Sequence, residues 1–234
     1  MPSVYHPQLN ENTCIGGQEY HHLSRVLRVK PDDVILLNDG KGSLCKAVVK
    51  EIDKKCVRFE LLEEATYHEP VSPFAIAFSL LKNKHDELIV EKCTELGCTE
   101  FYPFISAYSV RKGEDISRFE RIALAAIKQC DNPWLPRVNP VYTLKEAIKQ
   151  AKEQGYTPVF CSEHRPDIWL GDLMLSTNIK PCFFIGPEGG FNEAEIAYLE
   201  QEKLDQITIS KLILRAETAA IAIAAQYVSL SKPG

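Results

Sequence analysis

From Phe74 onward, short apolar runs alternate with stretches of helical spacing, and this alternation restricts the fold more than any other feature of the chain. Residues 74–81 read as a buried strand. Residues 85–96 place Leu88, Ile89, Cys93 and Leu96 on one helical face, and Gly97 is a fitting residue just past the end. Further strands are predicted at 101–105, 158–161, 182–185 and 206–209. Helices are predicted at 117–130, 144–153, 192–202 and 217–230. Strand–helix alternation of this kind predicts an α/β fold, a parallel sheet covered on both faces.

Residues 1–64 have a different rhythm. Val34-Ile35-Leu36-Leu37 runs into Asn38-Asp39-Gly40-Lys41-Gly42, which is strong turn chemistry. Residues 47–49 and 56–61 read as strands joined by Asp53-Lys54-Lys55, and one short helical stretch covers 19–29. A small β-barrel with one helix fits this pattern. Residues 63–73 are polar and contain Pro70 and Pro73, so they read as a linker. The expected domains are therefore 1–68 and 73–234.

Composition removes several function classes. The 234 residues are 45% hydrophobic and 25% charged, within the soluble globular range. A net charge of −5 excludes a protein that coats nucleic acid through bulk positive charge, but not a local basic patch. No apolar run approaches the ~18 residues of a membrane span. The first residues carry neither a basic nor an apolar leader segment, so a cytoplasmic protein is expected. The eight cysteines show no C-x-x-C spacing, and most are read as buried free thiols in a reducing compartment. No metal site is expected.

Three segments carry chemistry. In the first, the strand ending at Ile185 enters Gly186-Pro187-Glu188-Gly189-Gly190, and Asn192 with Glu195 forms a capping-box pattern that starts the next helix. The glycines permit close approach of backbone to a ligand. The loop lies at the carboxyl end of a strand, where open α/β sheets bind ligands. It is neither G-x-G-x-x-G nor a P-loop, and Glu188 repels phosphate, so a ligand without phosphates or with a positive charge suits it. An ordinary tight turn is the competing reading. In the second segment, Ile209-Ser210-Lys211-Leu212-Ile213-Leu214-Arg215-Ala216-Glu217 leads into an alanine-rich helix. Glu217 is favoured at a positive helix end without any function. Arg215 is unfavourable there and invites an anionic partner. The third segment, residues 21–30, holds His21, His22, Arg25, Arg28 and Lys30 and no acid. At helical spacing this is either a solvated basic face or a surface for RNA backbone.

Taken together, I-G-P-E-G-G-F-x-x-x-E-I, the later L-R-x-E-T-A, the early H-H-L-x-R-V-L-R and E-K-C-T-E-L-G-C around residues 91–98 resemble one family. It is that of the bacterial uridine-N3 methyltransferases of 16S ribosomal RNA (the RsmE family), a branch of the SPOUT methyltransferases. The resemblance covers nearly the whole chain. It implies a PUA-like β-barrel that binds RNA and a C-terminal SPOUT-type domain with a trefoil-knotted parallel sheet. It also implies S-adenosylmethionine as methyl donor, the small ribosomal subunit as partner, and a homodimer. Carried over by residue, the cofactor positions are Ser162, Glu163, Ile185, Gly186, Pro187, Glu188, Gly189, Gly190, Ile209, Ser210, Leu212 and Leu214. Arg215 and Glu217 fall in the catalytic neighbourhood, and His22, Arg25 and Arg28 on the RNA-docking face. Two positions depart from the family pattern. Ser210 replaces a usual glycine, and Asp131-Asn132-Pro133 stands where relatives carry an arginine, with Arg137 or Lys128 as substitutes. Two rival readings are a nicotinamide- or nucleotide-dependent enzyme, which the missing glycine motifs oppose, and an RNA-docking protein with a degraded active site.

Overall fold

A computed structural model describes residues 1–9, 13–162, 168–176 and 179–231. The chain divides into two compact units, one formed by 1–69 with 124–135 and the other by 70–123 with 136–234.

In the first unit, β1 (Ser3–Tyr5), β2 (Cys14–Ile15), β3 (Val34–Asn38), β4 (Ser43–Ile52) and β5 (Val57–Thr66) form one sheet in the order β1-β3-β4-β5-β2. Its core is Val4, Ile15, Leu23, Ile35, Leu37, Ala47, Val49, Val57 and Phe59. The turn expected after β3 forms. Asn38 Oδ1 accepts the Gly40 N–H, and Asp39 Oδ1 accepts those of Lys41 and Ser43. Gly42 has φ +110, and a Cβ there would stand 2.6 Å from the Trp134 ring. β5 runs to Thr66, into the segment read as linker. Beyond Phe59 it pairs with β4, and its last residues, Glu63-Glu64-Ala65-Thr66, are exposed and carry no strand-like apolar alternation. The helical stretch is α1 (Gly17–His21) followed by a wider π-type turn, His22–Leu27, closed by Arg28 at φ 53.

One cysteine pair corrects the reading against disulfides. β2 and β5 pair antiparallel, which brings Cys14 and Cys56 to 5.8 Å between Cα atoms, and the two are bonded. The other six remain thiols, with Cys45, Cys93, Cys98 and Cys182 buried.

The second unit contains β6 (Ala75–Ser79), α2 (His85–Glu95), β7 (Glu100–Ile105), the start of α3 (Ile116–Cys130), β8 (Arg137–Val138), β9 (Tyr142–Thr143), α4 (Leu144–Glu153), β10 (Thr157–Cys161), α5 (Leu170–Ser176), β11 (Pro181–Ile185), α6 (Glu193–Gln201), β12 (Asp205–Ile207) and α7 (Ala216–Leu230). The strands run in the order β12-β10-β11-β6-β7-β8, with β9 also on β7, and every pairing is parallel. Side chains alternate between two buried faces. Phe184, Phe160, Tyr102 and Phe104 meet α4 and Leu199 of α6. On the opposite face Phe183 and Phe74 lie against Tyr227 of α7, and Phe78 meets Phe119 of α3. Both neighbours of each central strand are thus strands, and both faces are covered, which explains why these strands read as unbroken apolar runs.

Candidate active site

The carboxyl ends of β10, β11 and β12 open into a cavity of about 330 Å³, within the ~300–1,000 Å³ typical of ligand pockets. The loops that follow these strands build its wall. Ser162, Ile185, Gly186, Pro187, Glu188, Gly190, Ile209, Ser210, Leu212, Leu214 and Arg215 all line it. Phe191 and Ile213, inside the two singled-out segments, also line it, and so do Gln206 and Ala219, which carried no signal in the sequence because each is of a residue type common in any core or loop.

Local chemistry explains the shape of each loop. Residues 187–190 form a turn in which the Gly190 N–H donates to Pro187 O, with Gly190 at φ +70. A Cβ on Gly186 would meet the Phe191 ring at 3.1 Å, so glycine lets that aromatic ring close the cavity floor. The Asn192–Glu195 capping box forms in both directions and starts α6. Glu195 also accepts from the Ser106 hydroxyl and the Ala107 N–H, which ties this helix start to the loop after β7. In the second loop the Leu212 N–H donates to Ser210 Oγ. Ser210 is not among the residues with positive φ, so serine fits this backbone without strain.

Two expected positions, Gly189 and Glu217, are not among the residues that line the cavity. Gly189 faces Tyr108 rather than the cavity, with a Cβ position 3.2 Å from that side chain. Glu163 lies outside the described residues. Glu217 is buried on the first turn of α7 and bonds His85 Nδ1 at 3.0 Å. Burial pushes the Glu217 carboxyl up. The His85 hydrogen bond, its own backbone N–H, and the charges of His85 and Arg215 outweigh that and hold it below the ordinary value. Sequence reasoning missed His85, whose partner lies 132 residues away. Arg215 is the N-cap residue of α7, is exposed, and has no ion-pair partner among the described residues.

The loop after β6 is held just as firmly. Leu80 N–H donates to Phe104 O, and Leu81 N–H to the buried Asp86. Arg111 joins Asp86 at 2.5 Å and also bonds Leu81 O. Lys82 N–H donates to Glu188 Oε1 at 2.9 Å, linking this loop to a cavity residue. Asn83 and Lys84 adopt φ 52 and 60, a left-handed pair that non-glycine residues seldom take.

In the first unit, His22 is half-buried, while Arg25, Arg28, Val26 and Leu27 are exposed on and after the π-type turn. Asp131-Asn132-Pro133 has a structural role in that unit. Asn132 O accepts from Asn38 Nδ2, and Pro133 O accepts the Gly42 N–H. Lys128 is engaged by Glu19. In the second unit Arg137 is engaged by Glu100, so neither substitute for the missing arginine carries a free charge.

Comparison with known proteins adds to this geometry. A family profile described as an RNA methyltransferase domain matches residues 68–228, and one described as an RNA methyltransferase PUA domain matches 15–62. The ribosomal RNA small subunit methyltransferase E of Mesomycoplasma hyopneumoniae is 31% identical over 203 residues, 84% of this chain and 86% of that protein. The protein of the same name from Synechocystis is 28% identical, over 91% of this chain and 71% of its own. The crystal structure of a ribosomal RNA small subunit methyltransferase E from Neisseria gonorrhoeae bound to S-adenosyl methionine matches with a TM-score of 0.87. Its identity is 28%, over 98% of both chains.

Proposed function

Since this chain belongs to the RNA methyltransferase family, we propose that it transfers a methyl group from S-adenosylmethionine to N3 of a uridine in the 16S RNA of the small ribosomal subunit. The observation that carries this reading is the cavity at the ends of β10, β11 and β12, which has a glycine loop and Glu188 and, among the described residues, no phosphate-binding set. S-adenosylmethionine has no phosphate and carries a sulfonium charge, so the lining fits it. When bound, it supplies an electrophilic methyl group.

The chain's own residues do the rest. The 186–190 and 209–214 loops, with Ser162 just after β10, hold the donor together with Glu163, and Glu188 faces its charge. Arg215, which forms no ion pair among the described residues, stabilises the negative charge that develops on the uracil ring as its N3 proton leaves. Glu217 belongs to the same catalytic neighbourhood. Holding two substrates in line supplies much of the acceleration. The target base must leave its stack to reach such a cavity. His22, Arg25 and Arg28 contact RNA from the first domain, taken as 1–68, while 73–234 forms the catalytic domain with its trefoil threading. A homodimer in the cytoplasm completes the reading.

The test is methyl transfer from labelled S-adenosylmethionine to separated ribosomal subunits from cells lacking this protein. Label in small-subunit RNA alone supports the reading. Label confined to large-subunit or transfer RNA, or none, contradicts it.

A further inference from the structure

The reaction proposed above needs an acceptor for the N3 proton, and His85 has the geometry for one. Its Nδ1 lies 3.0 Å from Glu217 Oε1, and Glu217 is an almost fully covered carboxylate at 10% side-chain exposure. In the tautomer that donates from Nδ1 to this carboxylate, Nε2 presents a lone pair, and it has no hydrogen-bond partner among the described residues. The imidazole is 39% exposed, so its free edge is accessible. Two short links connect it to residues that line the cavity. Arg215 and Ala216 line the cavity and directly precede Glu217. Glu188 also lines it and accepts the N–H of Lys82, three residues before His85. The left-handed pair Asn83–Lys84 stands immediately before the histidine and turns the chain into α2 at that point. Such strain is retained where the surroundings over-determine it, as the Asp86–Arg111 pair and the Leu81 bonds do here.

We propose that His85 is the general base of the reaction and that Glu217 is its positioning residue. This rests on the reading of uridine N3 as target. The N3–H bond breaks and its proton goes to His85 Nε2. The N3 electron pair forms the new bond to the methyl carbon, and the carbon–sulfur bond breaks with its electrons left on sulfur, giving S-adenosylhomocysteine. The charged groups around the imidazole are Glu217 and Arg215 from α7 and its cap, Lys82 and Lys84 from its own loop, Asp86 and Glu87 from α2, Arg111 bound to Asp86, and Glu188 through Lys82.

The test measures single-turnover formation of N3-methyluridine against pH for the wild type, His85→Gln, Glu217→Gln and Glu217→Asp, with S-adenosylmethionine binding measured alongside. The wild-type rate is expected to rise with pH and level off as the imidazole becomes neutral. His85→Gln should lose roughly 10²–10⁴-fold near pH 7 and keep its cofactor affinity. Its rate should climb about tenfold per pH unit without levelling, because solvent must then take the proton. Glu217→Gln should lower the plateau rate while keeping cofactor affinity, and Glu217→Asp should recover part of that rate. A His85→Gln profile that stays parallel to the wild type, whether lowered or not, overturns the assignment. Wild-type protein that places no methyl on N3 overturns the functional reading and this inference with it.

Discussion

Glu195 joins the start of α6 to the loop after β7, and its removal should cost stability. Its carboxylate accepts the Asn192 N–H at 2.9 Å, the Ala107 N–H at 2.9 Å and the Ser106 hydroxyl at 2.9 Å. In Glu195→Ala the capping box loses one of its two halves, worth about 0.5–1 kcal/mol. Ser106 is 2% exposed, so its hydroxyl loses a charged partner with little access to water, at about 1–3 kcal/mol. Ala107 is exposed and its N–H regains water, which adds little. The sum is about 3 kcal/mol, and for a chain of this size that lowers Tm by roughly 6–12 °C. Glu195→Gln keeps an oxygen acceptor and should lose only about a third as much. Differential scanning calorimetry of the three proteins measures this directly. A Glu195→Ala protein within 2 °C of wild type would refute the reasoning, since the carboxylate bonds would then be worth no more than their hydrated alternatives.

Other outcomes follow from the same geometry. Glu188→Gln should weaken S-adenosylmethionine binding by roughly 2–5-fold, the scale of one exposed charge pair, and leave the neutral product S-adenosylhomocysteine nearly unchanged, as calorimetric titration of both ligands would show. Gly42→Ala should destabilise the first unit by about 3 kcal/mol, because a Cβ meets the Trp134 ring at 2.6 Å on a backbone at φ +110; Trp134 fluorescence during urea unfolding reports it. Glu217 titrates below its ordinary value, so its contribution is complete above the unfolded value of about 4.3 and is lost as pH falls through the lower folded value. The Tm gap between wild type and Glu217→Gln should therefore narrow as the pH is lowered through the ordinary glutamate range. Replacing Arg25 and Arg28 together by alanine should reduce the slope of log affinity for small-subunit RNA against log salt by roughly one to two, if both meet phosphate.

The second unit was readable because its signals are local. The helix read at 85–96 is α2 at His85–Glu95, with Gly97 at φ +84 beyond its end. The Asn192 capping box needed only four neighbouring residues. Strands read at 101–105 and 182–185 differ from β7 and β11 by one residue, because burial on both faces leaves a continuous apolar run. Pairing across long separations left no such trace. β8 and β9 have two residues each and exist through β7. The Cys14–Cys56 bond depends on the register of β2 against β5. The site divided in the same way. The loops at 186–190 and 209–214 announced themselves through glycines and strand ends. His85 gave no sign, since one histidine at a helix start is ordinary until Glu217, from the far end of the chain, arrives beside it. The residues between β3 and β4 likewise needed Trp134 in place to show why Gly42 is a glycine.

The central claim is methylation of uridine N3 in the small subunit. Small subunits lacking the modification, incubated with the protein and S-adenosylmethionine, are digested to nucleosides and resolved by mass spectrometry against synthetic standards. The account predicts one new nucleoside, 3-methyluridine, that disappears when S-adenosylmethionine is omitted. A methylated product bearing the group on ribose or on another base, with no 3-methyluridine, would contradict it.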